Sequence, residues 1–375
     1  MRCSRNSSNL TNTSKLCQIY GSITSVKKKQ KIFVGISGGV DSSVAAYLLQ
    51  KEGYDVHGVF VKTWSPEWLP CTWVDEKRDA MRVCAYLGIP FHFVDAEEEY
   101  KNGVAQYMID EYRAGRTPNP DVLCNRVIKF GVMWEYAKSH GADAVATGHY
   151  ARTDGTSLMR GVDPSKDQSY FLWMITTDEL PHIQFPIGHL PKGKVRAIAE
   201  KANLFTATKK DSQGICFLGD VDMREFLSHY IEQSKGDVID TDGSVIGEHD
   251  GVWFYTLGER HGFRITKQGT DDPRYYIVAK DIAANTLTVS MSPLSQVSIG
   301  ETQTIMLREM NWNINTDPTK KYIAQVRYHG ELIDAYVLST DTVMLAYSGV
   351  IALGQSIVIY DGERVVGGGI IDRIS

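Results

Sequence analysis

The sequence predicts an α/β protein with three parts: a domain built on a parallel sheet, a small β-rich central domain and a C-terminal β-barrel. Three observations support this prediction. Up to about residue 150, short apolar runs alternate with helical segments, which is typical of βαβ units. After about residue 218 the chain becomes rich in short strands joined by hairpin turns. The last 80 or so residues contain short alternating strands that suit a small barrel.

The alternating pattern of the first domain assigns its elements in order. The strands are the apolar runs "KIFVGI", "VHGVFV", "FHFVDA" and "ADAVATGHY". The helices are "SSVAAYLLQKEG", "DEKRDAMRVCAYLG", "EEEYKNGVAQYMIDEYRAG", "RVIKFGVMWEYAKSHG" and, later, "KGKVRAIAEKAN". A parallel sheet of this kind binds ligands beyond the carboxyl ends of its strands.

We place the domain boundaries where the pattern changes. Residues 31–217 form the α/β domain, residues 218–295 the central domain and residues 296–375 the barrel. Hairpins are predicted in the central domain around Asp242-Gly243 and around Asn285. Residues 1–30 contain six basic residues and no acidic one. We expect a disordered basic tail there, with an organelle transit peptide as the less favoured alternative.

The composition is that of a globular protein. Hydrophobic residues make up 43% of the chain and charged residues 23%, and no apolar run approaches the roughly 18 residues of a membrane span. The net charge of −5 argues against a uniformly basic nucleic-acid coat but leaves local patches open. The six cysteines form no CxxC pair and no tight Cys/His cluster. We therefore expect no metal site and a reduced, cytoplasmic environment.

The stretch "GISGGVDS", residues 35–42, has the layout of a phosphate-binding loop, and we call it the glycine loop. A strand leads through Gly38-Gly39 into a helix N-terminus, where backbone N–H groups and the helix dipole face an anion. Without Cβ atoms, the backbone can approach a phosphate closely. The loop matches neither GxxxxGK[ST] nor GxGxxG, and it lacks the usual lysine. A capped strand-to-helix turn without a ligand is the alternative interpretation.

Two cysteines lie in polar surroundings. Cys124 follows two prolines in "RTPNPDVLCNRVIKF", where a helix N-terminus, Arg126 and Lys129 would lower the pKa of its thiol. Cys216 lies in "KKDSQGICF", where Lys209 and Lys210 precede it and Gly214 lies two residues before it. Either thiol would also fit as a small packed hydrophobe, as we expect for Cys84. The residues alone do not decide between these alternatives.

Several long motifs carry a resemblance to known families. The sequence "SGGVDS" resembles the signature of the ATP pyrophosphatase superfamily, which has a Rossmann-like sheet. In that superfamily the loop holds the pyrophosphate part of ATP while a substrate oxygen attacks the α-phosphate. Together with "GRTPNPDVLCN", "ATGHYAR", "KDQSYFL", "KKDSQGICF" and "GEHDG", in that order, the chain resembles the bacterial-type tRNA-specific 2-thiouridylases. These enzymes convert the wobble uridine, position 34 of certain tRNAs, to 2-thiouridine with ATP and a protein-borne persulfide.

The resemblance implies roles for individual residues. Cys216 resembles the persulfide-bearing cysteine that delivers sulfur to C2 of the adenylated uridine. Cys124 resembles its partner, which attacks the persulfide or closes a disulfide with Cys216, and Asp121 the general acid/base beside the uracil. The implied ATP contacts, with Mg²⁺ expected alongside ATP, are Gly35, Ile36, Ser37, Gly38, Gly39, Val40, Asp41, Ser42, Val61 and Gly148. Val61 departs from the family pattern, in which methionine is usual at this position.

The resemblance also implies RNA contacts and partners. The uridine has to be turned out of the anticodon loop before its C2 can be reached. The implied tRNA contacts are Asn119, Pro120, Asp121, His149, Lys166, Asp167, Gln168, Arg327, Tyr328 and Gln355. A cationic stretch that faces either RNA or solvent comprises Lys192, Lys194, Arg196, Lys201, Lys209 and Lys210. The expected partners are the tRNA anticodon loop and a persulfide donor, either a cysteine desulfurase or a sulfur-relay protein, and we expect no membrane partner.

Other functions remain open from the sequence. An amide-forming ligase of the ATP pyrophosphatase type would share the glycine loop but would not need the two cysteines. A different kind of tRNA thiolase is the nearer alternative, but the commonest such types carry CxxC cysteines, which this chain lacks. A tRNA-binding module without thiolase activity would keep ATP only as a structural ligand, and replacing Cys216 would not affect it.

Overall fold

A computed structural model of the chain describes residues 29–69, 72–211, 222–266, 274–292, 302–347 and 349–375. Within the predicted tail, residues 1–28 lie outside these ranges. Cys216 and the segment 212–221 around it also lie outside the described residues.

The first domain is built on a five-stranded parallel sheet. Its strands, in the order in which they lie across the sheet, are Phe91–Asp95, Asp55–Lys62, Lys31–Gly35, Ala144–Ala146 and Ile183–Gln184. The apolar run of Lys31–Gly35 is fully buried at its centre, because a central parallel strand is covered on both faces. The strand order reverses between Lys31–Gly35 and Ala144–Ala146. A ligand crevice is expected beyond the carboxyl ends of these two strands.

Helices cover both faces of this sheet. On one face, Val40–Lys51, Trp73–Leu87 and Lys192–Lys201 share an apolar cluster with Ile32 and Val34. On the other face lies a helix of three consecutive segments, Pro120–Leu123, Cys124–Val132 and Met133–Ser139, which we call the cysteine helix. Its middle segment has π-helical winding, a feature often found at functional sites. The remaining helical segments are Glu97–Tyr100, Lys101–Ala105, Gln106–Arg113, Ser169–Leu172, Leu180–His182 and Phe205–Thr208.

Three local predictions for this domain differ from the structure. The predicted strand "ADAVATGHY" is confined to Ala144–Ala146, and the chain then leaves the sheet. The cysteine helix begins at Pro120, six residues before the predicted helix starts at Arg126, because proline is well accommodated in the first turn of a helix. The edge strand Ile183–Gln184 has only two residues and gave no pattern in the sequence.

The central domain is a five-stranded sheet. Its strands, in spatial order, are Arg264–Ile265, Val245–His249, Gly236–Ile239, Thr286–Ser290 and Tyr276–Asp281, accompanied by helices Met223–Ser228 and Val252–Phe254. Both predicted hairpins are present, and Asn285 adopts a positive φ of 52° in the second turn. Asparagine tolerates this left-handed conformation better than most residues.

The C-terminal domain is a closed six-stranded barrel. Its strands, in order around the barrel, are Thr302–Trp312, Thr342–Ala346, Ile333–Ser339, Tyr322–Gln325, Ser356–Asp361 and Arg364–Ile374, and the last strand pairs with the first. A hairpin from the first domain, Ala151–Thr153 and Leu158–Arg160, joins this sheet through the pair Met159 and Arg364. The architecture therefore has the predicted fold class and domain order.

Shared cores join the three domains. One apolar cluster combines helix residues of the first domain, including Met108 and Cys124, with Phe226 and Ile277 of the central domain. Another combines Trp173 with barrel residues such as Tyr360. Among the described residues, no helix has the length and apolar character needed to cross a membrane.

Candidate active site

The glycine loop lies at the point where the strand order reverses. It begins where strand Lys31–Gly35 ends and continues into helix Val40–Lys51, so its backbone N–H groups lie at a helix N-terminus. The Ser37 and Ser42 hydroxyls are 3.2 Å apart, and the Ser37 N–H is 3.3 Å from the Ser42 hydroxyl. The Ser43 hydroxyl donates to the Gly39 carbonyl at 2.7 Å. These hydrogen bonds fix the conformation of the glycine loop, and polar groups line the side on which we predict phosphate binding.

Two glycines are required by close contacts around this loop. Gly38 has a φ of 74°, and a Cβ there would lie 2.8 Å from the Cβ of Asp79. A Cβ on Gly148 would lie 2.7 Å from the Ser42 nitrogen and 2.8 Å from the Asp41 carbonyl carbon. Gly148 therefore packs directly against the backbone at the start of the helix. Both positions lie among the predicted ATP contacts.

Asp41 binds two side chains that come from other parts of the domain. The Tyr150 hydroxyl donates to Asp41 Oδ1 at 2.8 Å, and Lys192 Nζ lies 2.8 Å from both Asp41 oxygens. Burial, together with the nearby Asp41 charge, raises the pKa of Tyr150, so this hydroxyl stays protonated and remains a donor. A lysine thus lies at the glycine loop although the loop sequence contains none.

Asp211 extends this network away from the loop. Its carboxylate accepts hydrogen bonds from Lys192 at 2.8 Å, Arg196 at 2.7 Å and Lys166 at 3.1 Å. Burial acts to raise the pKa of Asp211, but the hydrogen bonds and charges of Lys192 and Lys166 outweigh it and lower this pKa below its ordinary value. Asp211 is therefore an anion shared by three cations.

Another lysine of the cationic stretch also contacts the glycine loop. Lys209 Nζ is 2.8 Å from Asp79 and 3.1 Å from the Gly38 carbonyl. Lys192, Arg196 and Lys209 are thus engaged in ion pairs within the protein. Half of the stretch that we expected to face RNA or solvent binds acidic groups around the loop instead.

The cysteine helix passes close to the glycine loop. His149, next to Gly148, accepts a hydrogen bond at Nε2 from Lys129 of this helix at 3.3 Å. His149 is buried, and burial together with the nearby Lys129 charge lowers its pKa well below the ordinary value. Its neutral ring then carries a proton on Nδ1, which is 2.7 Å from the Thr147 hydroxyl. This contact joins the edge that carries the glycine loop to the helix that carries Cys124.

Cys124 lies inside the apolar cluster shared with the central domain. Its side chain is only 2% exposed. Val61, a predicted ATP contact, ends its strand nearby and packs against the same cluster. Of the cations on the same helix, Arg126 binds Glu179 and Lys129 binds His149. Cys84 is also buried, and burial raises the pKa of its thiol to about 11, which fits the packing role that we predicted.

The loop before the cysteine helix is held by all three domains. Glu111, almost fully buried, accepts hydrogen bonds from Arg116 and from the barrel residue Arg308 at 2.5–2.8 Å. The Gln355 amide donates to the carbonyls of Thr117 and Pro118 at 2.9 and 3.1 Å. The Thr117 hydroxyl meets that of Thr256 from the central domain at 3.1 Å. The segment that leads to Asn119, Pro120 and Asp121 is therefore fixed from several sides.

An aromatic surface from the barrel faces the start of the cysteine helix. The ring of Tyr328 lies 4.3 Å from Phe171 and stacks on His329 at 3.9 Å. Burial, with the charges of Asp167 and Asp121, raises the pKa of Tyr328 to about 12. Arg327 beside it is exposed. Aromatic and arginine side chains in this arrangement are suited to stacking against nucleobases.

The other predicted tRNA contacts have partners within the protein. Asp167 accepts hydrogen bonds from Arg160 and from the backbone of Gly161 and Ser169. Gln168 exchanges hydrogen bonds with the backbone of Tyr150. Together with Lys166, which pairs with Asp211, these residues fix the segment between the hairpin and Ser169–Leu172. Of the predicted tRNA contacts, Arg327 is an exposed cation.

Sequence reasoning did not find several residues of this site. Lys192 was predicted only as a member of a cationic stretch, and neither Asp211 nor Glu111 was singled out. No local motif reveals the contacts of Lys192 and Glu111, because Asp41 and Arg308 lie 151 and 197 residues away from them in the chain. Asp211 lies in "KKDSQGICF", but its partners Arg196 and Lys166 lie 15 and 45 residues away, outside that motif. The one available signal was the acidic Asp211 at the end of a basic stretch.

Comparisons with known proteins agree with this geometry. Three family profiles match in order: a tRNA methyl transferase HUP domain over residues 30–220, a tRNA methyl transferase PRC-barrel domain over 224–291 and an aminomethyltransferase beta-barrel domain over 302–371. They define a three-domain protein with a HUP domain at the parallel sheet.

Curated relatives are more specific. The chain is 43% identical over 357 residues to the tRNA-specific 2-thiouridylase MnmA of Geobacillus thermodenitrificans, covering 92% of this chain and 95% of that protein. It is 44% identical over 359 residues to the protein of the same name from Bacillus subtilis, with the same coverage. The chain belongs to the tRNA-specific 2-thiouridylase family. A solved 4-thiouridine synthetase–RNA complex with bound ATP matches with 21% identity and a TM-score of 0.33, over 50% of this chain and 44% of that chain, too weakly to support a functional argument.

Proposed function

We propose that this protein is a tRNA-uridine 2-sulfurtransferase, which uses ATP to convert the wobble uridine of tRNA to 2-thiouridine. The observation that carries the proposal is the contact between the glycine loop and the cysteine helix through Gly148, His149 and Lys129. It supports a site in which a nucleotide and a reactive thiol serve one reaction. Family membership along 92% of the chain supports the same activity.

The proposed reaction has two stages. First, residues 35–42, with Val61 and Gly148, position ATP, and the uridine C2 oxygen attacks the α-phosphorus so that pyrophosphate leaves. Second, the terminal sulfur of a Cys216 persulfide attacks C2, and AMP leaves. Cys124 then attacks the Cys216 sulfur, which releases 2-thiouridine and leaves a Cys124–Cys216 disulfide that an external thiol has to reduce. Cys124 is buried in this structure, so its assignment rests on family membership, and the thiol has to become accessible to Cys216 during the reaction.

Asp121 is proposed as the general acid/base beside the uracil. Its influence on the pKa of Tyr328 supports a location next to the aromatic surface of the barrel. We propose that this surface, with Arg327, and the segments 119–121 and 166–168 receive the anticodon loop. Gln355 and His149 are proposed tRNA contacts as well, and their side chains also bond to neighbouring segments of the protein.

The family profiles speak of methyl transfer, while the curated relatives are thiouridylases. Methyl transfer needs neither a phosphate-binding loop nor two cysteines. The glycine loop at a helix N-terminus, and a cysteine on the helix that contacts His149 through Lys129, favour sulfur transfer. We therefore follow the curated relatives.

The proposal also includes cofactors, partners and domain limits. Mg²⁺ would accompany ATP, bound through the phosphates. The sulfur donor would be a cysteine desulfurase or a sulfur-relay protein, and the reaction would take place in the cytoplasm. The domain limits 31–217, 218–295 and 296–375 are supported by the spans of the three profiles.

The test is mass spectrometry of nucleosides from tRNA incubated with the protein, Mg²⁺-ATP and a persulfide donor. We expect 2-thiouridine with the wild type and none with Cys124→Ala or Cys216→Ala. Cys84→Ala is the matched control, because its thiol is equally buried but lies on the helix Trp73–Leu87, in a different core. Normal product with both mutants would refute the cysteine roles. Formation of AMP and pyrophosphate without any 2-thiouridine would refute the assignment of the wobble uridine as the substrate.

A further inference from the structure

The glycine loop lacks the lysine that phosphate-binding loops commonly contain, but a lysine reaches it from elsewhere. Lys192 begins the helix Lys192–Lys201, which packs beside helix Val40–Lys51 in the same apolar cluster. Its ammonium lies 2.8 Å from both oxygens of Asp41, a residue of the loop. The side chain is 13% exposed, so most of its length is covered by protein. A covered cation at a helix N-terminus is an unusual feature that needs an explanation.

The contacts of this ammonium are saturated by acidic groups. A lysine ammonium has three N–H donors. Three carboxylate oxygens lie 2.8 Å from Lys192 Nζ, two from Asp41 and one from Asp211. A phosphate oxygen can therefore bind Lys192 only if one carboxylate contact is given up.

Asp211 is the carboxylate that can give up its contact at the lower cost. It retains Lys166 and Arg196 as partners after Lys192 leaves, so it is not left as an uncompensated anion. Within the described part of the chain, Asp41 has Tyr150 as its other hydrogen-bond partner, and both of its oxygens bind Lys192. The network thus allows Lys192 to turn from Asp211 toward the loop without isolating a charge.

We propose that Lys192 is the phosphate-binding cation of this site: when ATP binds, its ammonium exchanges Asp211 for an oxygen of the pyrophosphate part and stays on Asp41. This inference rests on the proposed use of ATP. Lys192 does in the folded protein what a lysine within the loop does elsewhere, because it brings a positive charge to the anion at the helix N-terminus.

Lys209 is the competing lysine, and its contacts favour a different role. It bonds to the Gly38 carbonyl and to Asp79, and its side chain is 40% exposed. Lys209 binds a backbone carbonyl and so stabilises the conformation of the loop, whereas Lys192 binds the Asp41 side chain at the start of the helix.

The experiment measures binding of magnesium pyrophosphate and of Mg²⁺-ATP to the full-length protein by titration calorimetry. Lys192→Met should weaken both by roughly 10- to 100-fold, the range expected for a charge-assisted hydrogen bond to phosphate. Lys192→Arg keeps the charge and should recover part of this loss. Lys194→Met is the matched control, since it removes the same charge from an exposed side chain two residues along the same helix. It should leave both affinities unchanged.

The same substitution in an Asp41→Asn protein distinguishes phosphate binding by Lys192 from a merely structural role of this lysine. If Lys192 serves only to neutralise Asp41, then adding Lys192→Met to Asp41→Asn should change nothing further. If it binds phosphate, the added substitution should still weaken pyrophosphate binding about tenfold. Unchanged pyrophosphate affinity in folded Lys192→Met, checked by circular dichroism, would overturn the inference.

These outcomes are independent of the nucleoside assay. A wild type that makes 2-thiouridine, together with a Lys192→Met variant that binds pyrophosphate normally, rejects the role of Lys192 and leaves the proposed function intact. A wild type whose pyrophosphate binding depends on Lys192 but that makes no 2-thiouridine supports Lys192 and rejects the sulfur transfer. A wild type that binds neither ATP nor pyrophosphate rejects both.

Discussion

Replacing Gly148 by alanine should disable the nucleotide loop without unfolding the protein. The added Cβ would lie 2.7 Å from the Ser42 nitrogen, 2.8 Å from the Asp41 carbonyl carbon and 3.1 Å from the Ser42 Cα. Favourable contacts between such atoms begin at about 3.5 Å, so the closest one is short by about 0.8 Å. All three atoms belong to backbone, which cannot turn aside as a flexible side chain would. The start of the helix and the loop before it have to move.

The expected cost has two parts. Overpacking of a tight contact costs about 1–3 kcal/mol of stability, which leaves a large domain folded. A displacement approaching 1 Å at a reacting group lowers the rate about 100-fold. We therefore expect Gly148→Ala to form AMP from ATP and tRNA about 100-fold more slowly in single-turnover reactions, with only a modest fall in melting temperature.

Gly193→Ala is the matched control for this substitution. Gly193 has no neighbouring atom within 4 Å of an added Cβ, and its φ lies outside the left-handed region. It lies on helix Lys192–Lys201, where alanine is favoured over glycine by about 1 kcal/mol. A Gly148→Ala protein that forms AMP at the wild-type rate would refute the argument that Gly148 sets the position of the loop.

Three further predictions follow from other contacts. Arg308→Leu should destabilise the loop before the cysteine helix by about 1–3 kcal/mol and lower thiolation, because Glu111 loses one of its two guanidinium partners. Faster protease cleavage near residue 116 would show that this loop is destabilised. Lys320→Leu removes an exposed ion pair and should not change the cleavage rate there. Burial lowers the pKa of His57 and of His92 below 6.5, so the unfolded chain takes up protons before the folded protein does. The protein should therefore lose stability as the pH falls below about 6.5, which melting curves at several pH values would measure. His57→Phe should make the melting temperature depend less on pH, and an unchanged slope would contradict the argument. Because burial raises the pKa of Cys84 to about 11, iodoacetamide at pH 8 should alkylate Cys84 only after the protein unfolds. Peptide mass mapping would detect the alkylated cysteine. Rapid alkylation in the native protein would contradict the packing role.

The sequence predicted the parts of this protein whose signals are local. Strands such as "KIFVGI", the glycine loop and the hairpin turns each depend on residues that are neighbours in the chain. The cysteine helix was predicted too, apart from its start, since proline can open a helix as well as precede one. The hairpin Ala151–Thr153 and Leu158–Arg160 was missed because its pairing with Arg364 is set by tertiary contact rather than by its own six residues.

The candidate site divides in the same way. Residues within motifs, such as Gly148 and Asp121, could be singled out from the sequence with the help of a family resemblance. The residues that hold those motifs in place could not, because Glu111 and Arg308 pair between distant segments and Asp211 pairs with residues outside its own motif. Charged residues are frequent in any chain, so a spacing pattern does not distinguish a buried acid from a solvated one.

Two groups of ion pairs hold the two loops of the site in place. Asp41 and Asp211 hold Lys192 beside the glycine loop, while Glu111 holds Arg116 and Arg308 beside the loop that leads to Cys124. Breaking a partly buried pair of this kind costs more than forming it gained, because one charge remains uncompensated. The loop before the cysteine helix is therefore fixed before any substrate arrives, whereas Lys192 has to leave Asp211 before it can bind phosphate. The two anions should accordingly behave differently when they are replaced. Glu111→Gln should loosen the loop that leads to Cys124 and slow sulfur transfer, whereas Asp211→Asn should leave pyrophosphate binding intact or strengthen it, which titration calorimetry would measure.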